Sequence, residues 1–188
     1  MSHSDSKHGP DCHSCGGHQA VPSVSQTLDE MEFERGIWSA ALNDDVDGVV
    51  RQLDKGIDVN TTDSAGYTAL HYSSRSGFNS VCTLLLKRGA NVNCVTRSGG
   101  VTPLHRAAYC GHIDTVEILL NSRANPMLRD GDGKVPLHKA IENSQFEVVQ
   151  RLLSVCPESA HIADNKGRTA WDYSEISDEL RQLLSKHR

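Results

Sequence analysis

The chain has 188 residues, the size of one domain or of one domain plus a tail. Its formal net charge is −5, so it lacks the basic surplus of a general nucleic-acid-binding protein. Hydrophobic residues make up 37% of the chain. No apolar run approaches the ~18–20 residues that a membrane span needs, and the first residues lack the apolar core of a signal peptide. We therefore expect no nucleic-acid or membrane partner, and reduced cysteines in the cytoplasm, the nucleus or both.

Residues 1–24 contain almost no large apolar side chains, which predicts a disordered tail ahead of a folded domain at residues 25–188. The tail is rich in cysteine and histidine. Four of these side chains could supply a tetrahedral zinc site: His8, Cys12, Cys15 and His18. They lie in one Gly/Ser/Asp-rich stretch without an apolar core, so incidental metal affinity is the competing interpretation. A zinc- or redox-responsive regulator acting through this tail is the alternative function.

The segment 26–35 combines acidic residues with Leu28, Met31 and Phe33. This mixture predicts a helix that covers the apolar face of the first structural unit. The acidic residues indicate either a solvated surface or attraction to a basic partner.

A six-residue pattern recurs along the rest of the chain and starts at Gly66, Gly100, Gly133 and, in weaker form, Gly167. The threonine-equivalent positions are 34, 33 and 34 residues apart. Such a period is typical of repeat architectures. An apolar stretch around Trp38 shows the same plan without the first motif. We predict an all-α repeat solenoid of five units, with atypical ends, at about residues 33–62, 63–96, 97–129, 130–163 and 164–188.

Each unit has the pattern of a helix–turn–helix followed by a loop. Threonine before proline or alanine is a favourable helix start, and a glycine such as Gly111 ends a helix easily. The fourth unit departs from this pattern, since Val135 replaces the threonine and Ser144 replaces the glycine. The junction of the fourth and fifth units is therefore predicted to be the weakest in the stack.

The Thr-Pro-Leu-His and Val-Val-Leu-Leu-Leu signatures resemble those of the ankyrin repeat family over roughly residues 33–186. The resemblance implies a curved stack with β-hairpin fingers and with the first helix of each unit on the concave side. It also implies that His71, His105 and His138 bridge neighbouring units by hydrogen bonds. One histidine repeated once per unit does not provide the different groups that an active site brings together.

In this family, partners bind positions that vary between units, on the finger tips and on the exposed face of the first helix. Tyrosine and arginine, which are enriched in binding hot spots, occur at several of these positions. The predicted partner-binding residues are Tyr67, Tyr72, Arg75, Arg106, Tyr109, Lys134, Lys139, Glu142 and Arg168. Their basic tendency predicts a protein partner with an acidic segment, and ordinary surface polarity is the competing interpretation.

The sequence predicts a non-enzymatic, monomeric adaptor or scaffold that needs no cofactor. Cys110 and His112 could form a nucleophile–base pair, but nothing stands out as a third, orienting group.

The resemblance also implies a modification site. Ankyrin repeats are substrates of an asparaginyl hydroxylase that modifies an Asn commonly eight residues after a Leu. Asn93 follows Leu85 at this spacing, whereas Asn60 has Gln52 at the equivalent position and the next unit has Met127.

Overall fold

The computed structural model describes residues 36–173 and 178–186. The predicted tail, its four metal-binding candidates and the predicted capping segment 26–35 lie outside the described residues. In the two described ranges all regular structure is helical. None of these helices is long and apolar enough to cross a membrane.

The helices follow one another in pairs. The paired helices are α1 (Ile37–Leu42) and α2 (Val46–Asp54), α3 (Ala69–Ser76) and α4 (Asn79–Lys87), α5 (Pro103–Cys110) and α6 (Ile113–Asn121), and α7 (Pro136–Glu142) and α8 (Phe146–Val155). Two short 3-10 helices (Pro157–His161 and Ala170–Asp172) and α9 (Asp178–Ser185) follow the last pair. Each first helix packs on the first helix of the next pair, which gives the predicted helical solenoid.

The third unit shows why these helices begin and end where they do. The Thr102 hydroxyl accepts a hydrogen bond from the backbone N–H of His105 at 3.3 Å, and Pro103 occupies the first helical position. Gly111 ends α5 in the left-handed conformation, with φ 79°. The local signals in the sequence therefore set the bounds of this helix.

The core runs along the whole stack as one continuous apolar layer. Leu70, Leu104 and Leu137 occupy equivalent positions in successive first helices and are buried, each with at most 1% of its surface exposed. Their second-helix neighbours, such as Leu85 and Leu119, are fully buried. The leucine of each of the first three recurring six-residue patterns therefore belongs to the core.

The fingers between units are tight turns, and the described residues form no β-strand in them. Each turn is closed by a backbone hydrogen bond such as that from Asp63 N–H to the carbonyl of Tyr67, at 3.0 Å. Adjacent fingers are also joined to one another, for example by the N–H of Arg97 and the carbonyl of Ala65 at 3.2 Å. The fingers therefore form a linked row along one edge of the stack.

The structure becomes less regular after the fourth unit. Ser144 takes a positive φ of 54° at the position that glycine occupies in the second and third units. In the fifth unit the first helix is reduced to the 3-10 turn Ala170–Asp172. These departures lie at the junction for which the sequence predicts the weakest packing.

Candidate functional site

Two of the repeated histidines join neighbouring units. His71 Nδ1 accepts a hydrogen bond from the backbone N–H of Thr68 at 3.1 Å, and its Nε2 donates to the carbonyl of Val101 in the next finger at 2.9 Å. His105 repeats this arrangement with Thr102 and Lys134. A carbonyl can only accept, so Nε2 carries a proton. Nδ1 accepts a hydrogen bond and therefore carries none, which makes each imidazole neutral.

Burial lowers the pKa of His71 and of His105 from 6.5 to about 4. Both nitrogens of each ring therefore form structural hydrogen bonds, and the two imidazoles are uncharged near neutral pH. His138 accepts from the N–H of Val135 at 3.1 Å, but its buried Nε2 has no hydrogen-bond partner among the described residues. The histidine bridge is complete at two junctions and incomplete at the junction of the fourth and fifth units.

An aromatic–arginine cluster lies where the second and third units meet. The Tyr67 and Tyr72 rings are 5.7 Å apart, and His71 meets the Tyr67 ring edge-on at 5.5 Å. The Arg106 guanidinium lies 4.8 Å above the Tyr67 ring, and its Nη2 donates to the Tyr67 hydroxyl. The structure thus brings together three of the predicted partner-binding residues.

The finger aspartate Asp63 supports this cluster. Its Oδ1 accepts from the N–H groups of Ala65 and Tyr67, and its Oδ2 accepts the Tyr72 hydroxyl at 2.5 Å. Burial, with the nearby carboxylate, raises the pKa of the Tyr72 phenol well above its usual value. Tyr72 is therefore a fixed, protonated donor that orients one side of the cluster.

Arg75 and Tyr109 lie in the last turns of α3 and α5 and are both exposed, Tyr109 to 47%. The backbone carbonyl of Arg75 accepts a hydrogen bond from His112 Nε2 at 2.9 Å. This bond fixes the start of α6 against the end of α3. It also engages the imidazole of the conjectured Cys110–His112 pair in a structural contact.

The other predicted cations are paired within the chain. Lys134 Nζ lies 2.5 Å from Glu142 Oε1, and Lys139 Nζ lies 2.9 Å from Asp130 Oδ2. Arg168 forms an ion pair with Asp164 at 2.8 Å and lies 4.7 Å from the Tyr173 ring. The charges of these three cations are largely neutralised by the protein itself.

The finger aspartates position the face on which the predicted partner-binding residues lie, and they are absent from that predicted set. Asp63, Asp130 and Asp164 each close a finger through Oδ1 and bind a side chain nine residues later through Oδ2. Thr96 occupies the equivalent position in the third unit. The signal was present in the sequence, as an aspartate that recurs at the repeat period with one exception.

The predicted modification site Asn93 joins two successive loops. Its Nδ2 donates to the carbonyl of Arg123 at 3.2 Å, and its Oδ1 accepts from the N–H of Asn125 at 2.8 Å. A hydroxylase would have to release both bonds to reach the side chain. Hydroxylation of Asn93 stays a prediction, as does zinc binding by the tail. Within the part of the chain that the structure describes, no group of three or more His, Cys, Asp or Glu residues could hold a metal ion.

The stacked helix pairs, the linked fingers and the histidine bridges define an ankyrin repeat array, and the chain belongs to the ankyrin repeat family. The family model for ankyrin repeats in three copies matches residues 37–130, and the model for ankyrin repeats in many copies matches residues 111–153.

Among individual proteins, ankyrin repeat domain-containing protein 39 from Homo sapiens is 54% identical over 82 residues, which are 44% of this chain and 45% of the human protein. Its Bos taurus counterpart is 60% identical over 63 residues, or 34% of each chain. Tyrosine-protein kinase Shark from Drosophila melanogaster is 34% identical over 79% of this chain but only 15% of the kinase. The matches thus span less than half the length of each relative.

Proposed function

We propose that this chain is a non-enzymatic adaptor or scaffold that binds a segment of a partner protein on its concave face and finger tips. Ankyrin repeat proteins generally mediate protein–protein interactions. The observation that carries the proposal is the Tyr67–Arg106 cluster, which stands beside the exposed Tyr109 at positions that differ between units. We also propose that the protein is monomeric and acts in the cytoplasm, the nucleus or both.

The physical reason is preorganisation. Tyrosine and arginine offer large contact areas, and they dominate the binding energy of many interfaces. Here the Tyr67 ring contacts both the imidazole of His71 and the guanidinium of Arg106 before any partner arrives. Side chains that are already ordered lose less conformational entropy when they bind.

The absence of catalysis is part of the same proposal. His71 and His105 use both ring nitrogens to join units, and burial keeps them uncharged. The thiols of Cys82 and Cys94 have pKa values raised by burial, which disfavours the nucleophilic thiolate. These groups hold the array together, and the face beside them is left for binding.

The test is affinity purification of the tagged full chain from cell extract, with mass spectrometry of the bound proteins. The variant changes Tyr67, Arg106 and Tyr109 to Ala, and we expect it to lose the partners of the wild type. The matched control changes Lys87, Asn121 and Gln150 to Ala, because these three exposed residues lie on second helices. The control should recover the wild-type partners.

Because Tyr67 is partly buried, thermal melting must show that the triple variant is folded. A second variant, with only the exposed Arg75 and Tyr109 changed to Ala, avoids this difficulty. Recovery of the same partners by the folded triple variant and by this double variant would contradict the proposed function.

A further inference from the structure

We infer that the part of the concave face built by the second and third units recognises a carboxylate of the partner, and that Arg106 is the residue that binds it. This inference rests on the proposed function and specifies the chemistry of the partner. It identifies the bound segment as an acidic peptide.

The first argument is a missing aspartate. In three units the carboxylate at the base of the finger bonds a side chain nine residues later, in the pairs Asp63–Tyr72, Asp130–Lys139 and Asp164–Tyr173. In the third unit this carboxylate is replaced by Thr96, whose hydroxyl accepts from the N–H of Val101 at 3.0 Å. Thr96 therefore closes its finger as an aspartate would, but it gives Arg106 no negative charge.

The second argument is the state of the Arg106 guanidinium. Its described contacts are to Tyr67, namely the hydrogen bond from Nη2 and the stacking on the ring. Its Nε is buried and has no hydrogen-bond partner among the described residues. A guanidinium has five N–H donors and pairs best with a planar carboxylate. The buried Nε is closed to a partner, but within the described chain the Nη groups of Arg106 form only the bond to Tyr67 and so retain donors for a carboxylate.

The third argument is the contrast between two regions of the face. Beside the second and third units, Arg75, Arg97 and Arg106 form no ion pair with any described carboxylate. The Oδ2 of the nearby Asp63 is already bound by the Tyr72 hydroxyl. A hydrogen bond from a neutral phenol leaves the charge of this carboxylate in place, but one carboxylate offsets at most one of the three arginines. Positive charge therefore remains in this region for a ligand.

The fourth and fifth units differ in this respect, because the predicted partner-binding cations Lys134, Lys139 and Arg168 each have a carboxylate partner within 2.9 Å. An acidic segment is thus attracted to one region of the face more than to the other. Arg97 extends the attractive region toward the finger tips, since its Nη1 donates to the carbonyl of Ser64 at 3.3 Å.

The experiment selects peptides from a randomised twelve-residue display library on the immobilised full chain. Selected peptides are then synthesised with a fluorescent label, and their affinities are measured by fluorescence anisotropy. The variants are Arg106→Gln and the matched control Lys166→Gln, which removes one exposed positive charge at the fifth finger. Thermal melting of each variant checks that it is folded.

We expect the selected peptides to be enriched in Asp or Glu. Arg106→Gln should weaken their binding by about tenfold or more, as expected for the loss of a charge-assisted hydrogen bond. Lys166→Gln should change the affinity by less than about twofold. Replacing the critical Glu of the peptide by Gln should cause a similar loss with the wild type and little further loss with Arg106→Gln.

Two results would overturn this inference: peptides without acidic enrichment, or acidic peptides that bind Arg106→Gln as tightly as the wild type. In either case, the selected peptides are also measured on the Arg75→Ala/Tyr109→Ala variant. If they bind this variant more weakly than the wild type, the concave face binds partners and only the role of the carboxylate is wrong. If their affinity for that variant and for the triple variant is unchanged, the proposed function fails as well. A library that yields no binder counts against both.

Discussion

At the scale of single residues, the repeated histidines show how one side chain can cap a helix and join two units. His71 and His105 accept from a backbone N–H inside their own unit and donate to a carbonyl of the next. This arrangement requires the neutral tautomer with a proton on Nε2 alone. A second proton on Nδ1 would remove the acceptor for the capping N–H and would place a charge in the core.

We therefore predict that acid destabilises the array. The pKa of each of these two imidazoles is about 4 in the folded chain, against 6.5 in the unfolded chain. Between these values the unfolded chain binds protons that the folded chain does not, so the free energy of unfolding falls as the pH falls. The expected loss is roughly 2 kcal/mol per histidine at about pH 5, measured by urea denaturation.

Replacing both His71 and His105 by Gln provides the control. This variant is expected to be less stable at about pH 7 but to lose less of its remaining stability on acidification. A wild-type urea midpoint that is the same at about pH 7 and about pH 5 would show that these imidazoles are not buried in neutral form.

At the scale of structural elements, the fingers depend on the close approach of one backbone to the next. Gly66 has a φ of +87°, and a Cβ placed on it would lie 2.4 Å from the backbone nitrogen of Arg97. Gly89 has nearly the same φ, +90°, but a Cβ there would meet nothing within 4 Å. The two glycines thus separate the cost of the left-handed conformation from the cost of a steric clash.

Gly89→Ala should lower the free energy of unfolding by about 1–2 kcal/mol, because a side chain disfavours positive φ. Gly66→Ala should lower it by at least about twice as much, since a backbone neighbour cannot rotate away as a flexible side chain can. Chemical denaturation of both variants measures the difference. Equal losses would mean that the contact between the second and third fingers contributes little to stability.

The start of α7 supports a second prediction at this scale. In the second and third units a threonine hydroxyl lies 3.0 Å or 2.8 Å from the Nδ1 of the following histidine, whereas Val135 has no hydroxyl. Val135→Thr should therefore stabilise the protein by about 1 kcal/mol, and Thr102→Val should destabilise it by a similar amount.

Thermal melting of the two variants checks that the first raises and the second lowers the melting temperature. The position is fully buried, so a threonine that failed to form the capping bonds would leave an unsatisfied hydroxyl in the core. A lower melting temperature for Val135→Thr would show that the helix start of the fourth unit differs from those of its neighbours.

At the scale of the whole molecule, the array is a row of units that contact only their neighbours, so its stability is nearly a sum over units and junctions. The last described junction lacks the hydroxyl at Val135 and the partner of His138 Nε2, and the following first helix is a short 3-10 turn. Among the described residues, fewer hydrogen bonds therefore hold the fifth unit than hold the middle ones.

We predict that native-state hydrogen exchange is faster in α8 and in the 3-10 helices than in α3 to α6. Mass spectrometry of peptides after exchange would measure this gradient along the chain. Val135→Thr should slow exchange in α7 and α8 while leaving α3 and α4 unchanged. Equal protection of the amides in all units would contradict the prediction that the end of the array opens before its middle.

The sequence by itself determined the repeat period, the helix pairs, the buried leucines such as Leu104 and the departures at Val135 and Ser144. These features depend on signals that are local along the chain, namely apolar spacing, helix caps and turn residues. Only the tertiary structure decided which charges of the face are neutralised and which remain. Arg106 meets Tyr67, 39 residues away, while Lys139 meets Asp130 within its own unit. Such pairings depend on the distance between neighbouring units and on side-chain direction, and residue type alone carries neither.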